Sequence, residues 1–86
     1  MLKKRELKAV NHILCFITGA DSEDEIKPEF DLLEDFGFDE FDKLEFCDML
    51  EEQFEIVIPS DDYYSIFTVD DVYNTVEKLL NKKENK

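Results

Sequence analysis

The chain has 86 residues, 43% of them hydrophobic, with eight Phe, no Trp, two Cys and a formal net charge of −13. That length sets the expectation of one domain over residues 1–86, with an economical core that needs no metal or disulfide support. Residues 21–77 hold 21 acidic side chains against two basic ones, Lys27 and Lys43, a local balance of −19. A phosphate backbone is repelled by such a surface, so nucleic-acid binding is disfavoured, whereas a basic protein surface is attracted.

The opening residues 1–20 imitate a secretory signal, with a basic start and an apolar stretch. Only residues 13–17 run uninterrupted, Asn11 and His12 break the stretch, and Glu6 sits in the basic part, so the imitation fails. Nothing approaches the roughly 18 consecutive apolar residues of a membrane span. The expectation is a cytoplasmic protein that does not enter a membrane.

Leu7, Val10, Ile13, Leu14 and Ile17 recur at helical spacing and predict a first helix over residues 2–18, stopped by Gly19. From Ala20 to Phe38 the chain holds Pro28 and mixes acids with apolar residues without a helical period, which predicts a long loop. Ile26, Phe30, Leu32, Leu33 and Phe36 are its expected anchors. A second helix is expected to start just after Asp39 and end near Phe54, with Phe41, Leu44, Cys47 and Leu50 on one face and Phe46 and Phe54 beside it. Asp39 is the expected cap, and Asp42 three residues later completes a capping box with a short acid.

Pro59 ends an extended link, and Ser60 is expected to cap a short third helix over "DDYYSIF". A fourth helix begins at Thr68 and uses Val69, Val72, Tyr73, Val76, Leu79 and Leu80 as one stripe, with residues 81–86 as a frayed tail. The sum is an all-α bundle of three longer helices plus one short third helix, with a long loop between the first two. Cys15 and Cys47 fall inside apolar helical patterns without CxxC spacing and are read as buried reduced thiols.

Catalytic and metal chemistry finds little footing. The single histidine, His12, has no nucleophile placed beside it by sequence, so it reads as a helix-surface residue and no enzyme is expected. Neither "DSEDEIKPEFDL" nor "DLLEDFGFDEFD" has the alternating acids and sixth-position Gly of a calcium loop, and no metal site is expected.

The run "LLEDFGFDEFD" at residues 32–42, then Glu45, "LEEQF" at 50–54, Ile58–Pro59 and Thr68–Val69, resembles the acyl carrier proteins, in register and without gaps. The resemblance covers about two thirds of the chain, and the first helix fits by placement. In that family the serine after the aspartate matching Asp39 is esterified with 4'-phosphopantetheine, whose thiol bears the acyl chain. Here that position is Glu40, which offers no hydroxyl, and the chain's serines, Ser22, Ser60 and Ser65, lie far from it in sequence. The resemblance therefore implies a member whose 4'-phosphopantetheine is absent.

Family members present acids of the second helix to basic patches on biosynthetic enzymes. Asp39, Asp42, Glu45, Asp48, Glu51 and Glu52 keep that surface here, with Phe41 as an apolar contact among them. Asp48 stands where the family often uses an apolar contact residue. Phe36, Phe41 and Phe46 replace the usual Leu and would fill the space where relatives shelter an acyl chain, beside positions 47, 50 and 66. Phe38 and Phe41 are either a contact pair or core.

The expected function is a monomeric, non-phosphopantetheinylated adaptor or regulator that binds a basic enzyme surface in fatty-acid or polyketide-type biosynthesis. The alternative is an acidic inhibitor or immunity-type protein that masks a basic active site, with Tyr63 and Tyr64 as anchors. A third reading keeps a working carrier with its group attached elsewhere.

Overall fold

The computed structural model describes residues 2–19 and 26–84. Four helices follow in order, α1 (Lys4–Thr18), α2 (Glu40–Phe54), α3 (Ser60–Ser65) and α4 (Val69–Glu84). The only extended pairing among the described residues is a single antiparallel bridge between Asp31 and Thr68. The all-α bundle with one short third helix is therefore the architecture found.

Helix α1 starts two residues later than its spacing predicts. Lys3 is extended, and the Glu6 carboxylate reaches back to accept its N–H at 2.8 Å, which fixes the first turn. At the other end Gly19 takes φ 76 and donates its N–H to the Cys15 carbonyl at 2.8 Å, the left-handed stop that glycine makes cheap. Val10, Ile13 and Leu14 are buried, while His12 stays on the surface as expected. Cys15 is half-buried rather than buried, because it lies at the edge of that stripe.

Residues 20–25 of the long loop lie outside the described residues. Its remainder is tied to the start of α4 by backbone bonds, Leu32 N–H to Phe67 O at 2.9 Å, Val69 N–H to Phe30 O at 2.9 Å and Asp70 N–H to Pro28 O at 2.8 Å. Ile26 and Leu32 are buried, and Phe30 and Phe36 pack against the core, as expected of anchors. Leu33 is not an anchor. It is 67% exposed, because residues 31–37 coil as a helical turn in which Leu32 takes the inward position.

Helix α2 begins and ends where predicted, but its buried stripe differs. Phe46, Cys47 and Leu50 are buried with Met49 and Phe54 packed beside them, whereas Phe41 and Leu44 are exposed. One turn of about 100° per residue puts Phe41 and Leu44 on the opposite side from Phe46 and Leu50. Phe38 fills the place expected for a helical Phe, buried edge-on against Phe46 with ring centroids 5.7 Å apart.

Ser60 does not cap α3; it is the first helical residue, preceded by Pro59 in extended conformation, and the helix ends at Ser65 with Ile66 and Phe67 outside it. Thr68 caps α4 reciprocally, its Oγ1 accepting from Asp71 N–H at 3.1 Å while Asp71 Oδ2 accepts from Thr68 N–H at 3.0 Å. Val69, Val72, Val76 and Leu79 are buried, and Tyr73 donates its hydroxyl hydrogen bond to Asn11 Oδ1 across to α1. The tail is helical as far as Glu84, against the expectation of fraying from Asn81. Lys83 Nζ donates to Phe54 O, the last carbonyl of α2, at 3.2 Å and so fastens it.

Candidate functional site

Gly37 takes φ 70 to bring the chain out of the 31–37 turn, and Phe38 then plugs the core, which aims Asp39 at the start of α2. Asp39 Oδ1 accepts from Asp42 N–H at 2.8 Å, and Asp42 Oδ2 accepts from Asp39 N–H at 3.1 Å. Both acids are thereby spent on two of the helix's otherwise unpaired donors. Glu40 is the first helical residue, exposed, in the electropositive first turn. Its carboxylate takes no hydrogen bond or ion pair among the described residues, in contrast to its neighbours.

The remaining acids expected to meet a partner divide in two. Glu45, Asp48 and Glu52 are exposed along α2, beside Phe41, 80% exposed, and Leu44. Glu51 is only half-exposed, since its Oε2 accepts from Ile58 N–H at 2.7 Å and holds the link to α3. The structure thus assembles Glu40, Phe41, Glu45, Asp48 and Glu52 as a free surface, and assigns Asp39, Asp42 and Glu51 structural duties as well.

Between the 31–38 segment, the start of α2 and α3 opens a cleft of about 370 Å³. Leu32, Phe38 and Ile66 form its buried floor, and Glu40 stands among its lining residues with Lys43, Tyr64 and Phe67. The Lys43 ammonium lies 4.6 Å from the centroid of the Tyr63 ring and 5.6 Å from that of Phe67. Burial pushes the Tyr63 phenol above its ordinary value, with the nearby Cys47 and Glu40 adding to the shift. The positions beneath, Phe46, Cys47, Leu50 and Ile66, are all packed in the core. Burial lifts the Cys47 thiol to about 11, so it stays protonated and is a packing group, not a nucleophile.

Sequence reading missed Lys43, Tyr63 and Phe67 as neighbours of Glu40. One signal was available, since Lys43 is the single basic residue between Lys27 and Lys78 and lies one helical turn after Glu40. Phe67 is tied beside the site by the bond from Leu32 N–H to its carbonyl, a pairing that no spacing announces, and its own N–H donates to Asp71 Oδ2 at 2.9 Å.

The family model for the phosphopantetheine attachment site matches residues 8–76. An acyl carrier protein of Campylobacter lari is 39% identical over 57 residues, 66% of this chain and 74% of that protein. The acyl carrier protein of Campylobacter concisus is 39% identical over 54 residues, 63% of this chain and 70% of its own length. Among solved structures, a protein assigned as an acyl carrier protein from Mycobacterium tuberculosis superposes with a TM-score of 0.78 at 32% identity, covering 84% of this chain and 95% of that one. The chain belongs to the acyl carrier protein family, built on the fold of the phosphopantetheine attachment site.

Proposed function

We propose that this chain is a non-carrying member of its family, an adaptor or regulator that docks on the basic surface of an acyl-chain biosynthetic enzyme. Members of the family are carriers rather than enzymes, and they work through protein partners. The observation that carries the reading is Glu40 at the first position of α2. A carboxylate there has no hydroxyl to form the phosphoester, and its charge repels the phosphate of the arm. Of the serines within the described residues, Ser65 donates its hydroxyl to Asp61 O at 2.8 Å and Ser60 begins α3, so neither is part of the α2 corner. These residues do not fit 4'-phosphopantetheine.

The docking face follows from exposure and charge. Phe41 and Leu44 supply apolar area within a rim of Glu45, Asp48 and Glu52, the composition of a contact patch that a basic surface can cover. Incubation with a phosphopantetheinyl transferase and coenzyme A, followed by intact-mass measurement, is expected to leave the chain unchanged and to add the arm to Glu40→Ser. A mass gain on the unaltered chain overturns the reading. Affinity capture from the native cell is expected to recover a biosynthetic enzyme by way of α2, with Asp48→Lys abolishing the capture. Recovery of a toxin or nuclease instead supports the inhibitor alternative, for which Tyr64, exposed and edge-on to Tyr63, is the available anchor.

A further inference from the structure

Resting on the docking reading, we propose that the cleft beside Glu40 receives an arginine side chain of the partner protein, with its guanidinium paired to the Glu40 carboxylate and laid against Phe67 and Tyr64. Three observations converge on that occupant. The first is shape and lining. A pocket of about 370 Å³ has an apolar floor of Leu32, Phe38 and Ile66, with Leu33, Tyr64 and Phe67 exposed around it. Aliphatic arms suit such a floor, and planar cations suit aromatic walls.

The second is a difference among the carboxylates. Asp31 Oδ1 is held by Leu33 N–H at 2.8 Å and Glu34 N–H at 3.0 Å, and Asp39 is held by Asp42 N–H at 2.8 Å. Glu34 and Glu40 are the lining acids whose carboxylates accept nothing among the described residues. They are therefore able to turn toward a newcomer at no cost to the fold, and a guanidinium offers a carboxylate two parallel donors.

The third is that the site already holds a cation of its own. Lys43 lies over Tyr63 and within 5.6 Å of the Phe67 centroid, so these aromatic faces accept positive charge. One lysine against Asp31, Glu34, Asp39 and Glu40 leaves the cleft strongly negative. An anionic or phosphate-bearing group is repelled, and a neutral chain leaves the rim charge uncompensated; a second cation complements both.

The test uses the full 86-residue chain, ¹⁵N-labelled, titrated at low salt with N-acetyl-arginine N-methylamide and with its neutral citrulline counterpart. Arginine is expected to shift amides of residues 31–34, 39–43 and 63–67, with citrulline binding at least fivefold more weakly. Glu40→Gln and Phe67→Ala are each expected to weaken arginine at least fivefold, whereas Glu55→Gln, at the far end of α2, leaves it unchanged. Equal binding of citrulline, or shifts spread evenly over the acidic surface, overturns the proposal. With a captured partner enzyme, Glu40→Gln and Phe67→Ala are expected to lower its affinity at least fivefold. If they do not while Asp48→Lys does, the arginine cleft is refuted and the α2 docking reading stands. If none of the three has an effect, both fall.

Discussion

Asp39 and Asp42 sit two helical steps from Glu40 at most, yet their carboxylates face inward to the backbone while that of Glu40 faces out. Loss of the cap in Asp39→Ala is expected to cost about 1 kcal/mol, or roughly 4–8 °C in Tm for a domain of this size, which thermal melting followed by circular dichroism measures. Cys47 gives a pH signature. Its folded pKa of about 11 exceeds its ordinary 9.0, so the folded chain holds a proton that the unfolded chain releases between those values. Stability from this thiol is complete below about 9 and is lost as pH rises through 11. Tyr73, also raised by burial, acts in the same direction. Urea melts between pH 8 and 11 are therefore expected to weaken with pH, and Cys47→Ala is expected to flatten part of that slope.

At the scale of elements, α2 separates core from solvent-exposed surface by phase. Phe46 is fully buried and Phe41 is 80% exposed, five residues apart on the same helix. Phe46→Ala is expected to lose about 3–5 kcal/mol through the cavity it leaves, while Phe41→Ala stays within about 0.5 kcal/mol. Urea midpoints at unchanged m-value check the pair. Partner capture should respond in the opposite order, failing for Phe41→Ala before stability does. The 31–37 turn shows the same separation, since Leu32 enters the core and Leu33 faces the cleft. Gly37 is required there by its φ of 70, not by crowding, because an added Cβ would meet nothing within 4 Å. Gly37→Ala is thus expected to cost about 1 kcal/mol of backbone strain without distorting the site, as unchanged amide shifts in α2 would report.

Across the whole molecule, basic side chains gather at one end of the bundle, among acids such as Glu55 beside Lys83. Gln53 at the end of α2 lies beside Arg5, Lys8 and His12 of α1, and Lys83 of α4 reaches Phe54 O at the same end. The opposite end carries the acidic first turns of α2 and α4, with Glu40, Asp42, Asp70 and Asp71. The first turns of α2, α3 and α4 and the last turn of α4, with Lys82 and Lys83, thereby meet charge of the favourable sign, whereas the last turns of α1, α2 and α3 carry no basic residue. Raising salt from about 10 to 150 mM shortens the screening length to about 8 Å, so Tm is expected to rise while partner affinity falls. An affinity indifferent to salt would assign the contact to Phe41, Leu44 and Phe67 rather than to the acids.

Helix placement, the Asp39 cap, the Thr68 start and the α4 stripe were legible because each depends on residues within four positions of one another. The resemblance that sets Glu40 at the position expected for the family's serine was likewise read from residue order alone. What sequence left undecided was which Phe goes in. Phe38 and Phe41 both flank the helix start, and only the turn at Gly37 and the pairing of Leu32 with Phe67 determine that Phe38 packs on Phe46 while Phe41 faces solvent. The cleft beside Glu40 likewise exists only when residues 31–38, α2 and α3 meet. Local periodicity records what a helix can bury, whereas the face it does bury is chosen by partners distant in the chain.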